Sequence, residues 1–180
     1  MRIVGGELSG RRIEVPPNED VRPTSDRARE AMFNMLFSLG FPQGCQVVDL
    51  YAGSGALGIE ALSRGADAVS FVDNNPFACR TISENLDSLG VEGRVIQGDS
   101  LQQLQSLEVD LVLADPPYGF DGWDQLLKGV GEALVVAESE RPLELFEGWD
   151  VVRSRKYCLL YTSDAADDMQ CVDLGGRRII

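Results

Sequence analysis

The 180-residue sequence contains no histidine. This absence removes the commonest general base at neutral pH and excludes Ser-His-Asp and Cys-His nucleophilic mechanisms. Cysteine is scarce, and the four that occur (Cys45, Cys79, Cys158 and Cys171) form no CxxC pair. Their scatter argues against a zinc site and against a disulfide scaffold, so we expect no bound metal.

Long apolar runs are also absent. No stretch approaches the roughly 20 apolar residues that span a bilayer, and the N-terminal segment MRIVGGELSGRR has no signal-peptide core. We therefore expect a cytoplasmic protein without a membrane partner. A hydrophobic content of 44% and a charged content of 25% are typical of a globular protein, and the length predicts one domain over 1–180.

Positive charge is scarce overall, because the formal net charge is −13, which is unfavourable for a nucleic-acid-binding protein. The distribution changes this interpretation. Residues 1–30 contain six arginines and six acidic residues, whereas residues 31–180 contain ten basic and 23 acidic residues. A basic N-terminal face on an acidic body can hold phosphates, although a solvated, salt-paired surface would explain the same pattern.

Turn and periodicity signals predict a short N-terminal unit followed by an alternating α/β chain. Met1–Val15 predicts a β-hairpin, and a helix capped by Thr24 or Ser25 should end near Gly40–Pro42. Strands then alternate with helices, which predicts parallel βαβ units in a doubly wound, Rossmann-like sheet. The predicted strands are Val47–Tyr51, Ala68–Val72, Arg94–Gln97, Val109–Ala114, Ala133–Glu138 and Trp149–Tyr157, with Met169–Leu174 as a candidate last strand. The predicted helices between them are Leu57–Arg64, Pro76–Leu89, Leu101–Leu107 and Trp123–Gly131.

Three consecutive strand ends carry residues suited to a nucleoside cofactor. Gly53 and Gly55 follow the first strand, where glycine permits positive φ and close approach of a ligand. Asp73 closes the second strand and suits two ribose hydroxyls, and Asp99 closes the third and suits an adenine amine. Ligands of open parallel sheets bind at this edge. NAD and S-adenosylmethionine both remain open from these residues, and each aspartate alone also fits a loop or helix cap.

The sharper motif is Asp115–Tyr118, DPPY, after the fourth strand. Two prolines remove backbone donors and stiffen the turn. The Asp115 carboxylate and the Pro116 carbonyl then remain as acceptors for an exocyclic amine, with Tyr118 as a stacking platform for a flipped base. A proline turn after a strand, with no role in catalysis, is the less favoured interpretation of DPPY. Direct methyl transfer to such an amine needs no histidine.

The chain resembles the bacterial 16S ribosomal RNA guanine-N2 methyltransferases of the RsmD type. The segments that carry the resemblance are GGELSGRRIEVP, RPTSDRAREAMFNML, DLYAGSGALGIEALSRGA, FVDNN and LADPPY, within residues 1–157. The resemblance implies an S-adenosylmethionine-dependent methyltransferase with an N-terminal hairpin and helix over 1–42 that faces RNA, a Rossmann-like core over 43–160, and antiparallel pairing at the C-terminal end of the sheet. The implied substrate is 16S rRNA in the small subunit or its assembly intermediate, and we expect the enzyme to act as a monomer.

The resemblance also implies roles for individual residues. The implied cofactor-binding residues are Asp49, Tyr51, Ala52, Gly53, Ser54, Gly55, Asp73, Asn74, Asp99 and Ser100. The implied catalytic residues are Asp115, Pro116, Pro117 and Tyr118, and the implied RNA contacts are Arg2, Arg11, Arg22 and Arg27. Arg27 also has acidic neighbours on its own helix with which it can pair.

Two features depart from the family pattern. The body is more acidic than the family usually is, which suggests either a salt-tolerant source or a narrow RNA contact confined to the N-terminal arginines. The tail 161–180 matches no pattern of the family and is similar to translated adapter or vector sequence.

Other functions remain open from the residues themselves. The DPPY turn suits adenine N6 as well as guanine N2, so a DNA adenine-N6 methyltransferase is an alternative, although no segment is long enough for a separate DNA-recognition domain. A non-catalytic assembly factor that binds the cofactor and a small-molecule methyltransferase are further alternatives. The intact DPPY disfavours the first of these, and the N-terminal arginines disfavour the second.

Overall fold

The fold is a twisted α/β sheet covered by helices on both faces. The structure, a computed structural model, describes residues 1–16, 26–139, 143, 149–151 and 177–179. Within this part the helices are α1 (Asp26–Ser38), α2 (Ala56–Ser63), α3 (Pro76–Leu89), α4 (Ser100–Leu104) and α5 (Trp123–Gly129). The strands are β1 (Gln46–Leu50), β2 (Ala68–Asp73), β3 (Arg94–Gln97), β4 (Leu111–Ala114), β5 (Leu134–Ala137), β6 (Trp149–Val151) and β7 (Arg177–Ile179).

The strands form one sheet in the order β3-β2-β1-β4-β5-β7-β6. The strands β1 to β5 pair parallel, so their carboxyl ends lie along one edge. The chain moves outward in one direction from β1 through β2 to β3, and then returns to the other side of β1 with β4. This reversal between β1 and β4 is the place where open α/β sheets bind ligands. The predicted α/β class and doubly wound sheet are confirmed.

Alternating strand side chains fill two apolar layers. Val47 packs into the layer that contains α1, α2, α3 and the N-terminal segment, whereas Val48 packs into the layer beneath α4 and α5. Since both faces of the sheet are covered, its central strands are continuously apolar, as in LVLA of β4. The sheet edge with the strand carboxyl ends is left as the place for polar side chains.

The C-terminal strands differ from the expectation of antiparallel pairing. The strand β7 pairs parallel with β5 through Val135 and Ile179, and β6 also pairs parallel with β7. Residues 152–176 separate β6 from β7, which exceeds the roughly dozen residues that a parallel crossover needs. The connection is therefore long enough for β6 and β7 to pair parallel, and its length does not require an antiparallel hairpin. Residues 152–157 of the predicted strand from Trp149, the predicted strand Met169–Leu174 and most of the tail 161–180 lie outside the described residues.

Residues 1–16, here called the N-terminal arm, form the predicted hairpin. An antiparallel bridge joins Arg2 to Arg12, and Ile13 N–H donates to the Met1 carbonyl at 3.0 Å. Ile3 and Ile13 are buried in the core, so the arm packs on the body as part of the domain. The predicted cap at Thr24 or Ser25 lies outside the described residues, and the helix that follows begins at Asp26.

A buried carboxylate fixes the arm to α2. The Glu60 side chain is fully buried and accepts from Val4 N–H at 2.9 Å and from Gly5 N–H at 2.8 Å. Arg64 Nε also donates to it at 2.8 Å, and Arg29 Nε lies 3.6 Å from it. Two cationic groups therefore balance the carboxylate charge, while its oxygens satisfy two main-chain donors of the arm.

Two further contacts bring the arm close to α2. Leu8 N–H donates to Ser63 Oγ at 2.9 Å, and Glu7 N–H donates to the Ser63 carbonyl at 2.8 Å. Gly6 has φ +74°, and a Cβ there would lie 1.8 Å from the Ser63 carbonyl oxygen. Only glycine fits at this approach, because it combines a left-handed backbone with no side chain.

Arg29 contributes to this junction and not to the basic surface. Its side chain is 1% exposed, pairs with Asp26 at 2.9 Å and donates to the Arg2 carbonyl. The count of six N-terminal arginines therefore overstates the positive charge that is available to a polyanion.

The described helices also bear on membrane association. None of those in the ranges given above is long and apolar enough to cross a bilayer.

We predict that Glu60→Gln lowers the free energy of unfolding by about 3–5 kcal/mol, because the neutral amide removes the buried negative charge that faces Arg64 and Arg29 and leaves one acceptor oxygen for the Val4 and Gly5 N–H groups. Urea unfolding followed by circular dichroism measures this change. The control is Glu84→Gln, which changes an exposed glutamate on α3 and should shift stability by less than about 0.5 kcal/mol. Equal effects of the two variants would contradict the role of Glu60.

Candidate active site

The glycine loop after β1 has a backbone that most side chains disfavour. Tyr51, Gly53 and Gly55 have φ of 59°, 55° and 78°. For Tyr51 this left-handed conformation is uncommon and strained, and such residues concentrate at functional sites. Gly55 precedes α2, and a Cβ at this position would lie 3.2 Å from the side chain of Ile82. The loop therefore packs closely against α3 at this position.

Asp73 at the end of β2 holds this loop. Its Oδ2 accepts from Gly53 N–H at 2.9 Å, and its Oδ1 accepts from Asn75 N–H at 2.8 Å. Each carboxylate oxygen retains a further lone pair for a ligand hydroxyl. The structure thus places Asp73 beside the glycine loop, as the sequence predicted, and the neighbouring Asn74 is exposed at the same edge.

Asp49, one residue before the end of β1, lies beneath the loop. Its side chain is 1% exposed, and Oδ2 accepts from Gly58 N–H of α2 at 2.8 Å. Burial raises the pKa of Asp49 well above its ordinary value of 3.8; the Gly58 hydrogen bond opposes this rise, and the nearby Asp115 and Asp73 charges add to it. Asp49 therefore connects β1 to α2 from below, and its role in cofactor binding stays a prediction.

Asp99 and Ser100 follow β3 and are also connected to the backbone. Asp99 caps α4, because its Oδ1 accepts from Gln102 N–H at 2.9 Å. The buried Ser100 hydroxyl oxygen accepts from Tyr51 N–H at 3.3 Å. This contact joins the loop after β3 to the loop after β1, so the three predicted strand ends form one continuous surface.

The DPPY turn follows β4, next to β1 in the sheet. Asp115 and Pro116 are half-buried, whereas the Tyr118 side chain is 69% exposed. Phe120 N–H donates to the Pro117 carbonyl at 3.2 Å and closes the turn, with Gly119 at φ 76°. An exposed aromatic ring after a closed proline turn is available to stack on a planar ligand.

The structure adds two aromatic residues that the sequence analysis did not select. Phe120 packs edge-to-face on Tyr51 with ring centroids 5.3 Å apart, and on Trp123 at 5.2 Å. The three rings, here called the aromatic wall, join the glycine loop to the DPPY turn. Burial, followed by the charge of Asp99, raises the pKa of Tyr51 to about 12, so its phenol stays neutral. The sequence signal for Phe120 and Trp123 is their position shortly after DPPY. Their packing with Tyr51 joins loops that are distant in the sequence, so no local pattern predicts it.

The predicted RNA-contacting arginines are exposed where the structure describes them. Arg2 and Arg11 lie on the arm and Arg27 on α1, while Arg22 lies outside the described residues. Arg11 donates to the Ser88 carbonyl at 2.9 Å, so it is partly committed to α3. These side chains are on the layer of α1, α2 and α3, away from α4 and α5.

We predict that Asp49 makes stability depend on pH. Because its pKa in the folded protein is raised, the folded state keeps a proton that the unfolded chain releases above 3.8. The stability contribution is thus fully present below 3.8 and is lost as pH rises through the folded-state pKa. The variant Asp49→Asn cannot ionise. The difference between its unfolding free energy and that of the wild type should therefore become more positive as pH rises, by at most about 1.4 kcal/mol per pH unit.

Urea unfolding of both proteins from pH 4 to pH 8 measures this difference. Asp87→Asn is the control, since Asp87 is exposed on α3. A constant difference between Asp49→Asn and the wild type across the range would contradict the prediction.

Comparison with known proteins gives the family. The family model described as conserved hypothetical protein 95 matches residues 1–161. The ribosomal RNA small subunit methyltransferase D of Haemophilus influenzae is 33% identical over 171 residues, covering 86% of this chain and 88% of that protein. The solved structure of yhhF from Escherichia coli, named as a methyltransferase, is 32% identical with a TM-score of 0.64, and 72% of each chain is covered.

A more distant structure carries a ligand. The 16S rRNA N2 methyltransferase of Thermus thermophilus in complex with AdoMet and guanosine is 25% identical with a TM-score of 0.55, and the match covers 72% of this chain and 37% of that one. The resemblance stated from the sequence is therefore confirmed. The chain belongs to the conserved hypothetical protein 95 family, the family of the RsmD-type ribosomal RNA methyltransferases.

Proposed function

We propose that this protein transfers a methyl group from S-adenosylmethionine to the exocyclic N2 amine of a guanine in 16S rRNA, within the small ribosomal subunit or its assembly intermediate. The observation that carries the proposal is the DPPY turn beside the glycine loop at the reversal between β1 and β4, in a chain of the RsmD family. The turn supplies acceptors for an amine, and the loop supplies the cofactor surface.

The residues at this edge fit S-adenosylmethionine. When bound, this cofactor supplies an electrophilic methyl group on a sulfonium. The loop from Tyr51 to Gly55 would contact its methionine part, Asp73 its ribose, and Asp99 with Ser100 and Asn74 its adenine. Asp49 would act from below, by fixing the start of α2 through Gly58 N–H.

The charge of the edge favours this cofactor over a dinucleotide. Asp73 ends β2, while Asp99 follows β3 and Asp115 follows β4, so these carboxylates lie on both sides of β1 at the same edge of the sheet. A carboxylate-lined site attracts the sulfonium and ammonium groups of S-adenosylmethionine and repels the pyrophosphate of NAD. This charge supports S-adenosylmethionine over NAD, the two cofactors that the glycine loop alone left open.

The chain's own groups would orient the reacting amine. The Asp115 carboxylate and the Pro116 carbonyl accept hydrogen bonds from N2, which fixes the direction of its lone pair. Tyr118 stacks on the base, and the aromatic wall limits where the base can lie between the turn and the glycine loop. Transfer would form the N2–methyl bond as the sulfonium–methyl bond breaks, with the thioether S-adenosylhomocysteine as the leaving group. The methylated amine would then lose a proton, for which Asp115 is an acceptor in the turn.

The choice of guanine N2 and of small-subunit rRNA rests on relatives. The Haemophilus influenzae relative is named as a small-subunit rRNA methyltransferase, and the Thermus thermophilus enzyme is named for N2 methylation with guanosine bound. Exposed arginines on the arm and α1 would provide phosphate contacts.

We predict that Asp115→Ala lowers the rate of methyl transfer to unmethylated small subunits by roughly a hundredfold or more, while S-adenosylmethionine affinity changes little. Asp115→Asn, which keeps an acceptor oxygen, should retain more activity than the alanine variant. The control is Asp121→Asn, an exposed acidic residue three positions beyond the turn. Incorporation of labelled methyl and mass spectrometry of nucleosides measure rate and product. N6-methyladenosine in place of N2-methylguanosine would contradict the proposal.

We predict that Arg2→Gln combined with Arg27→Gln weakens binding to small subunits and lowers the salt dependence of that binding. Each lost phosphate contact should reduce the slope of log affinity against log salt by about 0.7–0.9. Filter binding at several salt concentrations measures the slope. Arg94→Gln is the matched control, because Arg94 begins β3 at the amino end of the sheet. An unchanged slope in the double variant would show that Arg2 and Arg27 do not contact RNA phosphates.

A further inference from the structure

A buried asparagine joins the N-terminal arm to the glycine loop. Asn85 lies on α3 and is 2% exposed. Its Oδ1 accepts from Glu14 N–H at 2.8 Å, and its Nδ2 donates to the Glu14 carbonyl at 3.0 Å. The same Nδ2 donates to the Ser54 carbonyl at 3.0 Å. Since an asparagine side chain offers two donors and a double acceptor, three bonds nearly saturate it.

The partners of Asn85 belong to two different functional segments. Glu14 lies at the end of the arm, which carries Arg2 and Arg11, whereas Ser54 lies between the two glycines of the loop. Asn85 reaches both through their main chains, over 71 and 31 residues of sequence. Asn85 is not among the residues predicted to bind the cofactor or RNA, and it is not part of the glycine-loop motif.

The geometry limits independent movement of the two segments. A displacement of Glu14 away from α3 breaks both of its bonds to the Asn85 amide, and the released amide is then free to leave Ser54. Because one orientation of the Asn85 amide serves both partners, a change at Glu14 alters the bond that the amide offers to Ser54, and the reverse also holds. Burial makes loss of either bond costly, because no water replaces it.

We propose that Asn85 is a positioning residue that couples RNA contact on the arm to cofactor contact at the glycine loop. This inference rests on the proposed function, since it takes the arm as the RNA-contacting segment and the loop as the cofactor surface. Binding of RNA then holds Glu14, Asn85 and Ser54 in register, so each ligand increases the affinity for the other. Linkage requires that the two effects are equal.

The test measures small-subunit affinity with and without saturating S-adenosylhomocysteine, the product that cannot react further. For the wild type, we expect this compound to tighten binding of unmethylated small subunits by about fivefold or more. In Asn85→Ala the ratio should fall to about one. Asn85→Asp keeps the acceptor for Glu14 N–H and loses both donors, so it should also lose the coupling. Ser83→Ala is the matched control, because Ser83 Oγ donates to the Cys79 carbonyl within its own helix, and the ratio should stay as in the wild type.

Thermal unfolding establishes that each variant is folded at the assay temperature. A second measurement needs no variant: hydrogen exchange of the wild type with and without S-adenosylhomocysteine. The Glu14 amide should exchange more slowly with the compound bound, and the Gln46 amide, which donates to Asp110 Oδ2 at 2.8 Å, should not change. An unaffected Glu14 amide would overturn the proposal even if both variants fail to fold.

The outcomes separate this inference from the proposed function. A wild type that makes N2-methylguanosine but shows a ratio of one would overturn the coupling and leave the function intact. A coupling that survives in folded Asn85→Ala would overturn the role of Asn85 alone. Failure of the wild type to bind small subunits at all would overturn both.

Discussion

The buried Glu60 carboxylate is the interaction on which the rest of the site depends. It lies on α2, whose first turn begins directly after the glycine loop, and it accepts main-chain donors of Val4 and Gly5 from the arm. Arg64 and Arg29 supply the positive charge that makes its burial tolerable. One ionised group therefore joins the arm, the helix behind the cofactor loop and α1. The RNA-facing and cofactor-facing parts of the proposed enzyme are consequently built as a single packed unit.

Much of the fold was predictable, because buried parallel strands are short apolar runs and helices separate them at regular intervals. The predicted strand Ala68–Val72 differs from β2 by one residue. The edge location of Asp73, Asp99 and DPPY followed from the same logic, since parallel register brings strand ends together. The buried bond of Asp49 to Gly58 N–H was not predictable, because the motif gives its position and not its burial.

Contacts between distant segments account for the remaining differences. Glu60 bonds residues 55 and 56 positions away, and Asn85 bonds one 71 positions away, so neither has a local signal. The apparent arginine cluster contained Arg29, whose burial no composition count reveals. The parallel pairing of β6 and β7 depends on how a long connection returns to the sheet, which apolar periodicity does not encode. The patterns of single segments thus predict which residues lie at the carboxyl edge of the sheet. Contacts between distant segments decide which buried polar groups support that edge.

The polar contacts of the arm with the body are mostly made by its main chain. Val4, Gly5, Leu8 and Glu14 dock by backbone N–H groups, while Ile3 and Ile13 are buried in the core. Outward-facing positions of the arm can then change identity without loosening it from the body. Within such a scaffold, the proposed RNA-contacting surface is free to diverge while the chemistry behind it stays the same, so changes in one short hairpin would be enough to give related enzymes new target sites.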